Sequence, residues 1–304
     1  MKQQEGFIGK TIEILKDSYK NFQRNEPIVY SAAIAFFTIF SLPAILIVLT
    51  LAGSMFFSEE TVRAEIVTQM EDLMSEEVGS QVNDLLENAT QIPFGFWSIL
   101  IGLVVVIKSA TIIFFIMQKA LNAVWQIRVK HNVNYLKFMR HRLVTLAIVA
   151  GLGFLLLISL VFDAVLVIYS DQLYDVLEEY LTSAIKLIKA AFSILVVLVF
   201  FTTIHKVLPD AKVNWRDALA GGIITSILFL IGKEVIDYIL GNVKVVGFYA
   251  AAGSFVVVLL WVFYSSVILM LGAEVTKAYA NNHGRYVKPS EIAEKYEKVN
   301  GDRK

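Results

Sequence analysis

The sequence contains no cysteine, and charged residues make up only 18% of its 304 positions. Without cysteine there can be no disulfide bond, zinc–thiolate site, iron–sulfur cluster or cysteine nucleophile. Soluble domains carry about 25% charged and about 45–50% apolar residues, whereas this chain is 57% apolar. Its mean hydropathy is +0.64. This composition excludes a disordered chain and predicts an integral membrane protein.

Sequence patterns typical of metal binding, nucleic-acid binding and catalysis are also missing. The four histidines form no H-x-x-x-H or H-x-H pair and are His131, His141, His205 and His283. We therefore expect solvated or interfacial histidines, no metal site and no cofactor. The 27 basic and 27 acidic side chains balance, which suggests no nucleic-acid partner. Local Ser-His-Asp, Ser-Lys and H-E-x-x-H arrangements are absent, so we do not expect an enzyme.

Six apolar segments are each long enough to cross about 30 Å of hydrocarbon at about 1.5 Å per residue. They cover residues 29–57, 94–118, 143–170, 187–208, 218–240 and 248–273. The predicted fold class is therefore all-α, a polytopic membrane bundle of six transmembrane helices. Pro43 lies within the first segment, where it removes a backbone hydrogen bond and predicts a kink. We expect Ser41 or a neighbouring helix to satisfy the carbonyl that this leaves free.

Charges in the connecting segments predict the orientation. Residues 119–142 carry six lysines and arginines and no acid, whereas residues 58–92 carry nine acids and one arginine. The positive-inside rule places the basic segment in the cytoplasm, so six spans put both termini there. We expect a multi-pass protein of the cytoplasmic (inner) membrane. It has an interfacial helix at 1–27, a membrane domain at 28–274 and a cytoplasmic tail at 275–304.

Helical stripes of apolar residues also occur outside the spans. Near the start of the chain the stripe has spacings of 4, 3, 4 and 3 and consists of Ile8, Ile12, Leu15, Tyr19 and Phe22. It predicts an amphipathic helix that lies either in the membrane interface or against the cytoplasmic face of the bundle.

The first outer loop, residues 58–92, shows two further stripes. They predict two short amphipathic helices, capped by Ser58 and Ser75 and broken near Gly79. In the tail, Ser290 is predicted to cap a short helix within an otherwise solvated extension.

Ionisable residues within the spans are candidate functional residues, since a charge at mid-bilayer costs about 2.5–3.5 kcal/mol. Glu274 lies near the cytoplasmic end of the last span and is expected to be interfacial. The other five are expected to line a polar substrate cavity open to the outer side: Lys108, Asp163, Lys233, Glu234 and Asp237. Interhelical ion pairs that fix helix register are the alternative interpretation. Lys233 and Asp237 are four residues apart and can pair within one helix.

Small residues recur at intervals of about one helical turn, which predicts close contacts between helix backbones. The fifth span has Ala218, Gly221, Gly222, Thr225 and Ser226, and the third and sixth have Gly151, Gly153, Gly253 and Ser254.

Several stretches of sequence carry a family resemblance. Residues 31–43 read SAAIAFFTIFSLP, residues 120–125 read ALNAVW, and residues 207–221 read VLPDAKVNWRDALAG. With the last span, these stretches resemble the YihY/virulence factor BrkB family of inner-membrane proteins over nearly the whole chain. Ala220 stands where that family often has proline, and Ala250 where glycine follows tyrosine. The matching motif residues are Pro43, Asn122, Trp125, Pro209, Trp215, Arg216, Asp217, Gly221, Tyr249, Gly253, Trp261, Gly272 and Glu274.

The resemblance implies a six-span bundle with both ends in the cytoplasm. Members of the family have been associated with virulence, serum resistance and envelope lipid transport. Some carry a ribonuclease BN label, which this sequence does not support because it has no clustered histidines and aspartates. We therefore expect a transporter or lipid flippase of the cell envelope. The alternative is a non-transporting scaffold or envelope-assembly factor.

Membrane lipids are the expected partners. Trp125, Tyr135 and Phe138 lie among the basic residues of 119–142. Such a segment can stack on RNA bases, but positive-inside topology with interfacial aromatics explains it without a further assumption. Contact with anionic headgroups on the cytoplasmic side is the preferred interpretation. Homo-oligomerisation and protein partners stay open.

Overall fold

The computed structural model describes most of the chain in segments. These are residues 7–54, 57–73, 79–80, 82–84, 86–87, 96–134, 136–140, 143–145, 147–148, 151, 179–242 and 253–296. In chain order, the helices are α1 (Phe7–Arg24), α2 (Pro27–Gly53), α3 (Glu59–Leu73), α4 (Phe96–Trp125), α5 (Glu179–Val207), α6 (Trp215–Asn242) and α7 (Gly253–Asn282). Two short strands complete the elements, β1 (Ile127–Val129) after α4 and β2 (Ala293–Lys295) after α7.

Five of the six predicted spans coincide with the long helices α2, α4, α5, α6 and α7. Within the described residues, four helices are long and apolar enough to cross a membrane: Ile107–Trp125, Ala190–Val207, Trp215–Val235 and Val258–Asn282. A fifth is counted if Ile14–Arg24 and Pro27–Pro43 together form one bent span. The predicted third span, 143–170, lies almost entirely outside the described residues. The all-α membrane architecture is therefore confirmed, and the count of six spans stays a prediction.

The ends of α6 and α7 follow from local sequence. Asn214 precedes α6, and the carboxylate of Asp217 lies in the first turn, where the helix dipole favours an acid. At the end of α7, Gly284 has a φ of +66°. The amide of Gly284 donates to the Asn281 carbonyl, and that of Arg285 donates to the Ala280 carbonyl, both at 2.9 Å. This pair of bonds is a Schellman motif, which reverses the chain after the helix.

The residues after α7 form structure that the sequence did not predict. Strand β2 pairs antiparallel with β1, with Arg128 opposite Glu294. Ala211 and Pro289 form a further bridge. The predicted solvated tail with a helix capped by Ser290 is therefore wrong for residues 285–296. Each strand is only three residues long, too short for a periodic pattern to reveal it.

The N-terminal helix α1 buries a different face from its apolar stripe. Ser18 is buried, and its hydroxyl donates to the Ile14 carbonyl at 2.6 Å. Leu15 is 46% and Tyr19 is 61% exposed. At these two stripe positions the helix does not pack against the rest of the chain.

Pro43 is accommodated within a single helix. It lies inside α2, which continues to Gly53. The Ser41 hydroxyl donates to the Thr38 carbonyl at 2.9 Å. The carbonyl that Pro43 leaves free belongs to Ile39, so the expectation that Ser41 satisfies it is wrong.

The chain divides into two compact units. Unit 1 consists of Met1–Asn25, Leu121–Ile227 and Leu269–Lys304, and unit 2 of Glu26–Ala120 and Leu228–Ile268. In unit 1, the sheet and the end of α7 enclose an apolar cluster that consists of Trp125, Ile127, Ala211, Val213, Ala218, Ala280, Val287 and Ala293.

Unit 2 has an aliphatic cluster in which α2 and α7 meet the outer loop. Its buried members are Leu46, Val82, Leu86 and Val258, and Ile66 and Met70 of α3 pack against them. Helix α3 begins as predicted, because the Thr61 amide donates to the Ser58 hydroxyl at 3.2 Å. Residues 79–80, 82–84 and 86–87 are helical, as expected for the second stripe. Ser75 lies outside the described residues.

Candidate functional site

Unit 1 buries four ionisable side chains near the ends of its long helices. His205, Asp210, Asp217 and Glu274 are each at most 2% exposed. His205 lies in the last turn of α5 and Asp217 in the first turn of α6, with Asp210 in the connection between them. A buried charge is tolerated only when other groups compensate for its lost hydration. The partners of these residues therefore define the site.

Asp210 is bound by Asn122 of α4. The Asn122 side-chain amide donates to the Asp210 carboxylate at 2.7 Å. The backbone amide of Asp210 donates to the side-chain oxygen of Asn122, also at 2.7 Å. Two bonds in opposite directions fix the connection between α5 and α6 against the end of α4. Asn122 is a motif residue whose partner was not predicted from the sequence.

Asp217 forms a buried ion pair. Its carboxylate lies 2.6 Å from the Arg285 guanidinium, the residue that follows the Schellman turn. Asp217 is fully buried, whereas the Arg285 side chain is 33% exposed. The Asn214 amide donates weakly to the same carboxylate at 3.4 Å. The ion pair joins the start of α6 to the segment after α7.

Glu274 is buried rather than interfacial, which corrects the sequence-based expectation. It is 1% exposed, and its carboxylate accepts a hydrogen bond from the Asn25 side chain at the end of α1. Lys277, one turn later on α7, donates to the Val124 carbonyl at 2.6 Å. These two contacts tie α7 to α1 and to the last turn of α4.

His205 is also buried, so the expectation of a solvated or interfacial histidine is wrong at this position. Its Nε2 lies 3.0 Å from the Thr225 hydroxyl. That hydroxyl donates to the Gly221 carbonyl at 2.9 Å, so it accepts from His205 and the ring carries its proton on Nε2. Nδ1 is buried and has no hydrogen-bond partner in the described part of the chain. His131 and His283 are exposed, and His141 lies outside the described residues.

Glycines bring α5, α6 and α7 into close contact around His205. A methyl group at Gly272 would lie 1.8 Å from the Thr225 hydroxyl and 2.7 Å from His205 Nε2. One at Gly221 would lie 2.3 Å from the Gly272 carbonyl. One at Gly222 would lie 3.0 Å from the backbone of Thr202. The predicted backbone contacts of the fifth span are therefore confirmed.

A cavity of about 640 Å³ adjoins this buried set. Three stretches of unit 1 line it, at 137–144, 206–214 and 290–292. We call it the basic cavity, because its lining includes four cations and one acid, which are Lys137, Arg140, Lys206, Lys212 and Glu291. The full charges of these side chains give the lining a net charge of about +3.

Electrostatics in the basic cavity act most clearly on Glu291. Its carboxylate lies 2.7 Å from the Lys137 ammonium. The hydrogen bond from Lys137 lowers the pKa of Glu291 below its ordinary value, and the nearby charges of Lys137, Lys212 and Lys130 lower it further. The side chain of Glu291 is 68% exposed, so its carboxylate remains in contact with water.

The described residues include the side chains of three of the five predicted substrate residues. The side chains of Lys108 and Glu234 are exposed at the surface of the chain, and Lys233 is half-buried. Lys108 and Glu234 were expected to face the interior of the bundle. Asp163 lies outside the described residues, and Asp237 follows Lys233 by one turn of α6. The cavity open to the outer side stays a prediction.

The remaining motif residues have varied surroundings. Trp125 and Trp261 are each 6% exposed, and Trp261 packs against Phe229 with ring centroids 5.3 Å apart. Pro209 is buried and lines the basic cavity. Trp215 and Arg216 are exposed, and the Lys206 ammonium lies 5.8 Å from the centre of the Trp215 ring. Gly253 begins α7, and Tyr249 lies outside the described residues.

Sequence reasoning missed Asn25, His205, Asp210 and Arg285, as well as Lys206 and Lys212 of the basic cavity. One signal was available, because His205 lies just before the stretch that carries the clearest resemblance and Asp210 lies within it. Asn25 and Arg285 gave no signal, since their partners are 249 and 68 positions away in sequence.

Anion binding is the chemistry that the basic cavity supports best. Its lysines and arginine are hydrogen-bond donors with no acceptor atom, and together they outnumber the acid. No group of three or more metal-ligating side chains occurs among the described residues.

Comparisons with known proteins agree with the membrane architecture. A family model described as virulence factor BrkB matches residues 18–296. A UPF0761 membrane protein of Janthinobacterium sp. (strain Marseille) is 28% identical over 182 residues, which is 58% of this chain and 39% of that protein. One from Alkalilimnicola ehrlichii is 24% identical over 270 residues, 86% of this chain and 57% of that protein. No solved structure matches the chain.

The matched part of the chain thus spans about two fifths of the length of the Janthinobacterium protein and about three fifths of the length of the Alkalilimnicola protein. The match to the family model covers almost the entire sequence and all of the described site. The chain belongs to the virulence factor BrkB family of integral membrane proteins.

Proposed function

We propose that the chain is a transporter or lipid flippase of the cell envelope that acts on an anionic amphiphile. The observation that carries this proposal is the basic cavity, which lies where α5 ends and α6 begins. A space of about 640 Å³ that is lined by both charged and apolar side chains suits a ligand that has both a charged group and an apolar part. The proposal includes no catalytic step, cofactor or nucleic-acid partner.

The proposed location is the cytoplasmic membrane, with both termini and the basic cavity on the cytoplasmic side. The excess of lysine and arginine at this end of the helices supports that orientation. The exposed Leu15 and Tyr19 of α1 support a helix lying in the adjacent membrane interface. An amphiphile in the inner leaflet would then meet the cavity at headgroup depth. Anionic headgroups are the proposed lipid partners.

The charge of the basic cavity favours ligand binding over a purely structural role. Nearby Asp217 has its compensating cation, Arg285, at 2.6 Å. In the basic cavity, four cations share one carboxylate. Like charges placed together repel one another, and an anion bound there would offset that repulsion.

The buried set favours the second candidate, a non-transporting scaffold or envelope-assembly factor. Asp210, Asp217 and Glu274 are each held by another side chain of the same chain. Such pairs fix the relative positions of helices. In a scaffold, the basic cavity would be a docking surface and no lipid would cross the membrane.

Reconstitution tests the proposed function. The purified chain would be placed in liposomes that contain a trace of fluorescently labelled phosphatidic acid, and a membrane-impermeant quencher would report the label that reaches the outer leaflet. We expect transbilayer movement faster than in protein-free liposomes. The variant Arg140→Glu/Lys212→Glu should abolish this difference, because it makes the net charge of the lining negative.

The matched control is Lys119→Glu, which reverses an exposed charge on α4 outside the cavity lining. It should move lipid as the wild type does. Equal rates with and without wild-type protein, for labelled phosphatidic acid, phosphatidylglycerol and phosphatidylcholine alike, would favour the scaffold.

A further inference from the structure

The basic cavity contains more hydrogen-bond donors than the chain itself uses. The Lys206 ammonium donates to the Val213 carbonyl, which holds it in place and leaves two of its three hydrogens for other acceptors. Ser290 lines the cavity, and its buried hydroxyl has no hydrogen-bond partner among the described residues. A buried hydroxyl without a partner is destabilising. The cavity therefore has donors prepared for an acceptor-rich ligand.

We propose that the basic cavity binds a phosphate group, and that the Glu291 carboxylate takes the place of one phosphate oxygen while the cavity is empty. The proposal deepens the proposed transport function, on which it rests for the identity of the substrate cavity. The phosphate group is that of a lipid headgroup or of a soluble phosphate, which present the same oxygens to the cavity.

Phosphate fits the donor set better than a carboxylate does. A phosphomonoester carries a charge of about −1.5 to −2 and three strong acceptor oxygens. Arg140 can bind two of these oxygens through its planar guanidinium, and Lys206 and Lys212 can act as point charges. The Ser290 hydroxyl can donate to the phosphate as well. A single carboxylate has only two oxygens and one charge, so it would leave part of the donor set unused.

Glu291 already shows how an anion binds there. Its carboxylate contacts Lys137 at 2.7 Å, while its backbone carbonyl accepts a bond from Lys130 at 3.2 Å. The Ser290 amide donates to the Asp210 carbonyl at 2.8 Å, so the backbone on this side of the cavity is fixed. The carboxylate itself is largely exposed and can turn into water. An incoming phosphate would then displace the side chain without moving the strand that follows.

Competition of this kind predicts opposite effects for two charge-neutralising variants. Arg140→Gln/Lys212→Gln removes ligands, and phosphate affinity should fall by about tenfold or more, since bonds to charged groups contribute about 1.5–3 kcal/mol. Glu291→Gln removes the competitor, and affinity should rise by about two- to fivefold, as expected for an exposed ion pair. Lys119→Gln is the matched control and should bind like the wild type.

The experiment is a binding measurement on the full chain and needs no transport. The chain in phosphatidylcholine nanodiscs would be titrated with inorganic phosphate by calorimetry. In parallel, native mass spectrometry would count phosphatidic acid retained from mixed-lipid nanodiscs. Retention of phosphatidic acid without phosphate binding identifies a lipid headgroup as the source, and binding of both probes identifies a site open to soluble phosphates. Either result supports the proposal if the variants shift it as stated.

Three outcomes would overturn the proposal. These are no binding of either probe, binding that Arg140→Gln/Lys212→Gln does not weaken, and binding that Glu291→Gln lowers. A melting temperature for each variant close to that of the wild type shows that the comparison is between folded proteins. Binding without lipid movement in liposomes would overturn only the transport function. Movement that is insensitive to the cavity variants would overturn only the phosphate site.

Discussion

Units 1 and 2 accommodate polar residues in different ways. Unit 1 buries His205, Asp210, Asp217 and Glu274, each at most 2% exposed. Unit 2 has a buried cluster of four aliphatic side chains, while its span charges Lys108 and Glu234 are exposed at the surface of the chain. The two units therefore place their ionisable residues differently: unit 1 buries several of them, and unit 2 leaves Lys108 and Glu234 exposed. In unit 1, buried charges join helix ends beside an apolar cluster, whereas the buried cluster described in unit 2 is aliphatic.

This difference corrects a simple interpretation of charge in membrane sequences. Lys108, Lys233 and Glu234 were candidate functional residues because they interrupt apolar segments. Glu274 was expected to be merely interfacial because it lies near the end of a span. The structure shows the opposite. Glu274, near the helix end, is buried and hydrogen-bonded, whereas Lys108 and Glu234 within the spans are exposed. Depth along a span says little about which side of the helix a residue occupies.

The largest loss of stability is expected when the ion pair between Asp217 and Arg285 in unit 1 is removed. Asp217→Asn should lower the free energy of unfolding by about 3 kcal/mol, because it breaks the ion pair of the fully buried Asp217 carboxylate and leaves the partly buried Arg285 side chain without its countercharge. Thermal unfolding of the purified protein measures the loss. Glu234→Gln, an exposed acid of unit 2, is the matched control and should change stability by less than about 0.5 kcal/mol. Similar shifts for the two variants would mean that the pairs of unit 1 do not stabilise it.

The corresponding change in unit 2 removes apolar packing. Leu46→Ala should cost about 2 kcal/mol, because Leu46 is 2% exposed and packs with Val82 and Leu86. Leu49→Ala removes the same atoms at a position that is 43% exposed. Its effect should be much smaller. The measurement is chemical unfolding in mixed micelles, and a larger loss for Leu49→Ala would contradict the aliphatic core of unit 2.

A smaller effect is expected where helices of unit 1 touch. Gly272→Ala should destabilise by about 1–3 kcal/mol, because the added methyl group would overlap the Thr225 hydroxyl, His205 and the Gly221 carbonyl. Gly151→Ala is the control, since no atom of the described residues lies within 4 Å of the added methyl group. It should leave stability unchanged or raise it by up to about 1 kcal/mol, because alanine favours helix. The measurement is the melting temperature of each variant. Equal values would show that the close contact at Gly272 does not require glycine.

The smallest effect concerns pH and the segment after α7. The pKa of Glu291 is below its ordinary value of 4.5, since the hydrogen bond from Lys137 favours the ionised form. The ion pair therefore stabilises the docked segment at pH values above 4.5. That contribution is lost as the pH falls through the lowered pKa. Hydrogen exchange of residues 287–296, corrected for intrinsic rates, should show weaker protection in acid. Glu291→Gln should remove this pH dependence, and an unchanged profile in that variant would assign the effect to another group.

The sequence predicted the features that repeat along one helix. Apolar length located α2, α4, α5, α6 and α7, and small residues identified the faces of Gly221 and Gly222. Ser58 was identified as a cap because capping depends on neighbouring residues.

Features that join distant positions were not predictable from periodicity. Asn122 meets Asp210 across 88 positions, and Asn25 meets Glu274 across 249. The basic cavity combines three separated stretches, so its charge emerges only when the chain folds. The pairing of β1 with β2 depends on the turn at Gly284, whose effect on the chain direction is not visible in a hydropathy pattern.

The contact between Gly221 and Gly272 also limits how the helices of unit 1 can move. A methyl group at Gly221 would lie 2.3 Å from the Gly272 carbonyl, so α6 and α7 meet there backbone to backbone. Sliding one helix along the other would bring larger side chains into that gap and force the helices apart. Rotation about the point of contact meets no such obstacle. The two glycines therefore form a pivot point. If unit 1 opens or closes, we expect α6 to tilt against α7, and we do not expect the two helices to slide along each other.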